Sequence, residues 1–161
     1  METQIIIDTR ERKPFTQTLY WADNADRIHT CPLKLNFGDY ANVELTRIVE
    51  RKGLGDAVST VIGKNYTRFI KEMERAREAA AATESPLTFI IVIEASQKSI
   101  YGYMKRRHLR IPAIHIIHQY DKITETYGFP VIWAGGREEA AAVTLEFLAA
   151  ADNSVPTFQT K

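Results

Sequence analysis

The run Phe89-Ile90-Ile91-Val92-Ile93 constrains the fold most strongly, because every position in it is apolar. A strand whose two faces both carry aliphatic or aromatic side chains has to be covered on both sides, as the central strands of α/β sheets are. The run is far too short to cross a bilayer. We therefore expect a central strand over 89–94, with helices packed against both faces of its sheet.

Further strands and helices are predicted on either side of this run. Alternating apolar positions and turn residues predict strands over 4–8, 33–37, 40–45, 47–52 and 129–133. Apolar residues at helical spacing predict helices over 65–82, 98–108 and 112–127, and a last helix after Gly135-Gly136. Asp56 stands where a helix N-cap would stand, ahead of Ala57 and Val58. Strands that alternate with helices indicate an α/β sandwich around a mixed sheet.

Length and composition fit one compact domain. The chain has 161 residues, of which 45% are hydrophobic and 25% charged, so we expect one domain over 1–151 and a flexible polar tail over 152–161. A single cysteine, Cys31, excludes an intrachain disulfide. No amino-terminal targeting signal is visible, so we expect an intracellular protein, cytoplasmic or DNA-associated, with no membrane contact.

The strongest chemical signal lies in two neighbouring predicted strands. Gly38-Asp39-Tyr40 is followed by Glu50-Arg51-Lys52 and then by Asp56. The two-residue period of a strand puts Glu50 and Lys52 on one face and Arg51 on the other. A hairpin through Thr46 and Arg47 would bring Asp39 close to Glu50.

Two carboxylates together with phosphate and water oxygens form the kind of site that Mg²⁺ prefers. A divalent cation held there would supply Lewis-acid chemistry for cleavage of a phosphodiester, and Lys52 would add a positive charge beside it. The alternative is a hairpin in which Glu50 and Lys52 form an ion pair that faces solvent. Arg51, on the other face, would pair with a buried carboxylate or with a phosphate.

The string from Gly38 to Asp56 resembles the G-D-x(n)-E-R-K-x(3)-D signature of the XPF-type structure-specific endonucleases, a branch of the PD-(D/E)XK nucleases. The segment Ile5–Glu11 looks like the opening strand of that family, whose aspartate and arginine (here Asp8 and Arg10) belong to the active-site neighbourhood. Arg68-Phe69 lies in a segment similar to the family's next helix, and the run that ends at Glu94 to its next core strand. The match covers about residues 4 to 150, without the tandem helix-hairpin-helix domain or the helicase portion that many members carry.

This resemblance implies a restriction-endonuclease-like fold and a metal-dependent endonuclease that cuts branched, flapped or junction DNA. It implies Mg²⁺ or Mn²⁺ held by Asp39 and Glu50 and approached by Asp8, with Lys52 and Arg51 as catalytic residues. It also implies a homodimer through the carboxy-terminal helices. Asp8 has a simpler interpretation as a turn-forming aspartate before Thr9.

The candidate DNA-binding residues are cationic. Net charge is only +1, but the segment 97–110 holds five cations and no acid: Lys98, Lys105, Arg106, Arg107 and Arg110. With Tyr101 and Tyr103 nearby, it could follow a phosphate backbone and stack a base. Its alternative role is a solvated helix end whose cations complement the helix dipole. Arg10 is a further candidate for DNA contact.

Two other functions remain open. One is a less structure-selective PD-(D/E)XK nuclease with a DNA or RNA target, and the other is a non-catalytic DNA-binding subunit. The intact acidic motif argues against the second.

Overall fold

The computed structural model of the chain describes residues 2–84 and 86–150. Its strands are β1 (Thr3–Asp8), β2 (Ile28–Leu33), β3 (Tyr40–Asn42), β4 (Arg47–Lys52), β5 (Thr88–Ile93) and β6 (Val131–Trp133). Its helices are α1 (Leu19–Ala22), α2 (Leu54–Thr60), α3 (Lys64–Ala82), α4 (Gln97–Arg106), α5 (Ala113–Tyr127) and α6 (Arg137–Ala149), with a 3-10 turn at Phe15–Gln17. The predicted polar tail over 152–161 lies outside the described residues.

One mixed sheet of six strands organises the chain, in the order β2-β1-β3-β4-β5-β6. The pairs β1–β2, β4–β5 and β5–β6 are parallel, whereas β3 runs antiparallel to both of its neighbours. The α/β class and the mixed sheet are therefore confirmed. Because β3 alone is reversed, the carboxyl ends of β1, β4 and β5 meet the amino end of β3 at one edge.

Successive residues of β5 pack into opposite layers, as its apolar run predicts. Phe89, Ile91 and Ile93 point into a core formed with α2 to α5, while Ile90 and Val92 point into a second core formed with α6 and the segment around Phe15. Burying each of these side chains contributes about 1.5–3 kcal/mol. The two cores fix the sheet between its helical layers.

Two sequence predictions about local structure are wrong, and one strand was not predicted. No strand covers 33–37: β2 ends at Leu33, and Leu35 and Phe37 are buried in the core without pairing to a strand. The strand β2 was not predicted: it is an edge strand whose residues after Ile28 are all exposed, so its sequence shows no buried-and-exposed alternation. The helix that Asp56 was expected to cap begins at Leu54, after Gly53, so Asp56 lies in its first turn.

The strand that follows Gly38 is also shorter than predicted, because the side chain of Asn42 ends it. The Asn42 amide oxygen accepts the backbone N–H groups of Thr46 (3.0 Å) and Arg47 (2.9 Å). The turn is thus closed before Arg47, which belongs to β4. The predicted antiparallel hairpin is confirmed, with Tyr40 opposite Val49 and Ala41 opposite Ile48.

Gly38 permits the close approach of β3 to β4. Its φ is +76°, and a Cβ built there would collide with Cγ2 of Ile48 and lie 3.2 Å from the carbonyl oxygen of Val49. That carbonyl accepts the backbone N–H of Asp39 at 2.8 Å. A side chain at position 38 is therefore disfavoured by its backbone conformation and by its neighbours.

Gly38→Ala should destabilise the protein more than Gly128→Ala does. Gly128 ends α5 with a similar φ of +73° but has no atom within 4 Å of its Cβ position, so it isolates the backbone cost. That cost is about 1–2 kcal/mol at either position, and overpacking adds about 1–3 kcal/mol at Gly38 alone. Urea unfolding of both variants measures the difference in stability. Equal losses of stability would show that the Ile48 side chain moves aside without cost.

Candidate active site

Three acidic residues lie side by side at the edge where β1, β3 and β4 meet. Ile7 pairs with Tyr40, and Tyr40 pairs with Val49. Asp8, Asp39 and Glu50 come directly beyond these pairs. The backbone N–H of Asp8 donates to the carbonyl oxygen of Asp39, and the N–H of Asp39 donates to the carbonyl oxygen of Val49, both at 2.8 Å. The end of the paired register thus brings the predicted carboxylates to one edge of the sheet.

Asp39 and Glu50 each use one carboxylate oxygen within the protein. Asp39 Oδ2 accepts the backbone N–H of Arg51 at 2.8 Å, and Glu50 Oε1 accepts the ammonium of Lys52 at 2.8 Å. In the described part of the chain, the other oxygen of each has no hydrogen-bond donor. Burial, and then the negative charge of Glu50, raise the pKa of Asp39 well above its usual range.

Lys52 is a buried ammonium held by a carboxylate and a ring. Its Nζ lies 4.4 Å from the centroid of the Phe69 ring, in addition to its contact with Glu50. Burial lowers the pKa of Lys52, but the attraction of Glu50 and its hydrogen bond raise it, and the net shift is upward. The contact with Glu50 therefore favours the charged form of Lys52.

Glu72 is a fourth acid near this edge, and it is not among the site residues predicted from the sequence. It lies on α3 and accepts the backbone N–H of Gly38 at 3.2 Å. Burial and the charge of Glu50 raise the pKa of Glu72. The signal was its position, because it directly precedes Met73 in the buried stripe that includes Phe69, and an acid beside such a stripe is unusual.

Arg51 faces the opposite side of the sheet, as predicted, and pairs with carboxylates. Its Nε and Nη2 donate to Glu11 at 2.8 and 3.0 Å, and its Nη1 donates to Glu94 at 2.7 Å. Burial lowers the pKa of Arg51, but the two carboxylates raise it by more than burial lowers it. The net shift of the pKa is upward, so the guanidinium stays charged. Of the two roles left open for Arg51, the structure shows the buried ion pair, and Glu11 is a partner that sequence reasoning missed.

Asp8 is held differently from Asp39 and Glu50. Its Oδ1 accepts the backbone N–H and Nε of Arg10, and its Oδ2 accepts Nη2 of Arg10 and the backbone N–H of Leu35, at 2.7 to 2.9 Å. Both oxygens are thus satisfied by the protein. This geometry argues against the expected approach of Asp8 to a metal and gives it the role of anchoring Arg10.

The candidate DNA-binding cations fall into two separate places. Arg10 lines a cavity of about 430 Å³ together with Asp39, Glu50, Lys52 and Asp56. The basic cluster, defined as Lys105, Arg106, Arg107 and Arg110, lies at the end of α4 and in the loop after it, exposed and outside that lining. Arg107 packs on the ring of Tyr103, with its guanidinium carbon 5.7 Å from the centroid.

The donor set at this edge fits a divalent cation that also binds water and phosphate. In the described residues, no three His, Cys, Asp or Glu side chains are grouped so that they could enclose a metal on their own. Asp39 and Glu50 offer two carboxylate oxygens without donors, and their mutual repulsion would be relieved by a cation. Mg²⁺ is commonly bound by one or two carboxylates plus substrate phosphates.

Comparison with known proteins identifies the family. The model of the ERCC4 domain matches residues 7–147, so the chain belongs to the ERCC4 domain family. The resemblance to XPF-type nuclease domains is thereby confirmed. A comparison with curated proteins finds no match.

Two solved structures share the fold. One, XPF from Aeropyrum pernix in complex with DNA, has 17% sequence identity and a TM-score of 0.64, with 91% of this chain and 64% of that chain covered. The other, XPF from Aeropyrum pernix, has 19% identity and a TM-score of 0.65 over the same shares of the two chains. This chain therefore spans less than two thirds of those XPF chains. In residues 2–84 and 86–150, no helix has the length and hydropathy of a membrane span.

Asp39→Asn should stabilise the metal-free protein at neutral pH. The folded-state pKa of Asp39 is raised above its ordinary value of 3.8, so the fold binds this proton more tightly than the unfolded chain does. The resulting stability is present below the unfolded pKa and is lost as the pH rises toward the folded pKa. An asparagine removes the charge and keeps an acceptor for the N–H of Arg51.

The measurement is the melting temperature in chelator as a function of pH. The advantage of Asp39→Asn over wild type should grow as the pH rises above about 4. Asp26→Asn, which changes an exposed aspartate just before β2, is the matched control and should show no such trend. A variant that melts at or below the wild-type temperature throughout would contradict the raised pKa.

Proposed function

We propose that this domain is a metal-dependent endonuclease that hydrolyses phosphodiester bonds in branched, flapped or junction DNA. The observation that carries the proposal is that Asp39 and Glu50 line one cavity, where each carboxylate keeps one oxygen without a donor in the described residues, beside the ammonium of Lys52. The family assignment supports a DNA nuclease. The DNA in one of the XPF structures supports the substrate class.

Asp39 and Glu50 would hold Mg²⁺ or Mn²⁺. A cation held there would supply Lewis-acid chemistry to the phosphoryl oxygen and to a water molecule. Asp39 is held in place by the backbone N–H of Arg51 and Glu50 by Lys52, so both carboxylates are oriented before the substrate binds. Preorganised ligands of this kind require no rearrangement during the reaction.

Lys52 is the residue that we assign to the phosphate and the attacking water. Its ammonium has three donors, of which Glu50 takes one, so the others can reach oxygens in the cavity. As an ammonium it would stabilise the negative charge that develops on the phosphoryl oxygens.

Arg51 and Asp8 have positioning roles in this proposal. The Nε, Nη1 and Nη2 atoms of Arg51 all donate to Glu11 and Glu94, so the guanidinium is committed to the protein and not to a phosphate. Asp8 orients Arg10, whose side chain is 60% exposed and lies at the cavity. Arg10 is then available for a DNA phosphate.

Cleavage should depend on Mg²⁺ or Mn²⁺ and on both carboxylates. A labelled junction, a flap and a linear duplex are incubated with Mg²⁺, Mn²⁺, Ca²⁺ or chelator. Mg²⁺ or Mn²⁺ should support cutting of the branched substrates, while the larger and more flexibly coordinated Ca²⁺ should support binding with little cutting. Asp39→Asn and Glu50→Gln should each remove most of the cleavage activity, because each deletes a charge that would hold the cation.

The control is Glu44→Gln, which changes an exposed glutamate in the turn at the far end of the same hairpin. It should cut like wild type. Undiminished cleavage in chelator would contradict the metal requirement. Equal cutting of linear and branched DNA would instead favour the less selective nuclease.

Neutralising the basic cluster should weaken DNA binding without a preference for sequence. On duplex DNA, each phosphate that a protein neutralises adds about 0.9 to the slope of log affinity against log salt. Changing Lys105, Arg106, Arg107 and Arg110 to glutamine should therefore lower this slope by about 0.9 for every phosphate that the cluster neutralises. Titrations over a range of salt compare this variant with wild type. Identical slopes would mean that the cluster is only a solvated helix end.

We also propose a homodimer through the carboxy-terminal helices, as the sequence resemblance implies. Sedimentation equilibrium of the whole chain tests it directly. A monomer at every concentration would leave the nuclease proposal in place and remove the dimer.

A further inference from the structure

A closed ring of hydrogen bonds fixes the backbone of Lys13 beside the candidate active site. The N–H of Lys13 donates to Glu11 at 2.7 Å, and Glu11 accepts from Arg51. Arg51 also donates to Glu94 at 2.7 Å, and Arg137 donates to the same oxygen at 2.8 Å. Arg137 then closes the ring through Nη2, which donates to the carbonyl oxygen of Lys13 at 2.9 Å.

The ring rests on a stack of aromatic and guanidinium groups. Phe15 stacks on Tyr40 with centroids 5.2 Å apart, and the guanidinium carbons of Arg51 and Arg137 lie 5.9 and 5.3 Å from its centroid. The Tyr40 hydroxyl accepts the N–H of Phe15 at 2.9 Å, and Arg137 donates to the carbonyl oxygen of Pro14 at 2.9 Å. The chain is thus anchored immediately after Lys13 as well as at it.

This anchoring leaves two cations directed at solvent along the cavity. Arg12 and Lys13 are exposed and line the 430 Å³ cavity that also contains Asp39 and Glu50. Within the described ranges, neither side chain has a hydrogen bond or an ion pair. Arg10, at the start of the same segment, is already oriented by Asp8.

We propose that Arg12 and Lys13 form a phosphate-binding rim that contacts the DNA backbone next to the cleaved bond, and that Arg137 is the positioning residue that holds this rim over the cavity. The inference rests on the proposed function. A DNA strand that approaches Asp39 and Glu50 meets negative charge, and cations at the mouth of the cavity offset that repulsion. Cations that contact phosphates fix the register of the strand.

The rim is tested first by DNA binding in chelator, where no cutting is needed. Arg12→Gln/Lys13→Gln removes two exposed cations and should not affect folding. Its salt slope should fall by about 1.8, so that wild type loses about twelve-fold more affinity than the variant between 50 and 200 mM salt. Lys64→Gln/Lys122→Gln removes two exposed cations from α3 and α5 and should keep the wild-type slope. Equal slopes for the two double variants would overturn the rim.

The role of Arg137 is tested by non-additivity. Arg137→Lys keeps the charge but lacks the planar fork that joins Glu94 to the two carbonyl oxygens. It should weaken binding about as much as removal of the rim cations, and have no further effect when combined with Arg12→Gln/Lys13→Gln. If Arg137→Lys binds DNA like wild type while Arg137→Gln binds more weakly, or if the losses of affinity are additive, Arg137 is only another phosphate contact. Either result would overturn its positioning role.

These outcomes separate the inference from the proposed function. If wild type binds DNA in chelator but cuts nothing with Mg²⁺ or Mn²⁺, the nuclease proposal is contradicted. The salt slope of DNA binding still tests the rim in that case. If wild type cuts DNA and Arg12→Gln/Lys13→Gln has the same salt slope as its control variant, only the proposal of the rim is overturned. Wild type that binds no DNA overturns both.

Discussion

The buried guanidinium of Arg51 is the interaction on which the active edge of this domain depends. Its side chain is 10% exposed, and its partners Glu11 and Glu94 are 4% and 12% exposed. These three residues come from β4, from the segment after β1 and from the end of β5, so one cation joins three parts of the chain. Removal of one partner from a buried ion pair costs about 3–5 kcal/mol, because an uncompensated charge remains.

The side chains of Glu50 and Lys52 therefore have a different role from that of Arg51, which lies on the other face of β4. Arg51 secures the framework on the side of Phe15, while Glu50 and Lys52 point toward α3, and all three residues line the cavity. The backbone N–H of Arg51 also holds Asp39, so the framework residue fixes the carboxylate on the other face. Alternation along a strand makes this division unavoidable.

On the α3 side of the sheet the buried charges are not balanced. Asp39, Glu50 and Glu72 share Lys52 as their buried cation, and the pKa values of Asp39 and Glu72 are raised by burial and by Glu50. Such local conflict is expected where function and stability compete. A divalent cation between Asp39 and Glu50 would relieve it, so the same feature that weakens the free protein favours metal binding.

Much of this arrangement was predictable because local patterns determine it. The two-residue period of 47–52 placed Glu50 with Lys52, and the apolar run at 89–93 indicated a strand covered on both faces. The strand β2 was not predicted from the sequence, because an exposed edge strand needs no alternation of apolar residues. Glu11, Glu72 and Arg137 were not predicted because each acts through contacts with residues distant in sequence, such as Gly38 with Glu72 and Lys13 with Arg137. Of the three, Glu72 alone had a local signal, its position beside the buried stripe of α3. The sequence contains no local record of these pairings.

Direct measurement of metal binding tests the central claim, that Asp39 and Glu50 form one cation site. Titration of Mn²⁺ followed by electron paramagnetic resonance, with and without DNA, counts the bound ions independently of cleavage. We predict one site in wild type and in Glu44→Gln, and loss of that site in Asp39→Asn and in Glu50→Gln. Unchanged Mn²⁺ uptake in both of these variants would contradict the account.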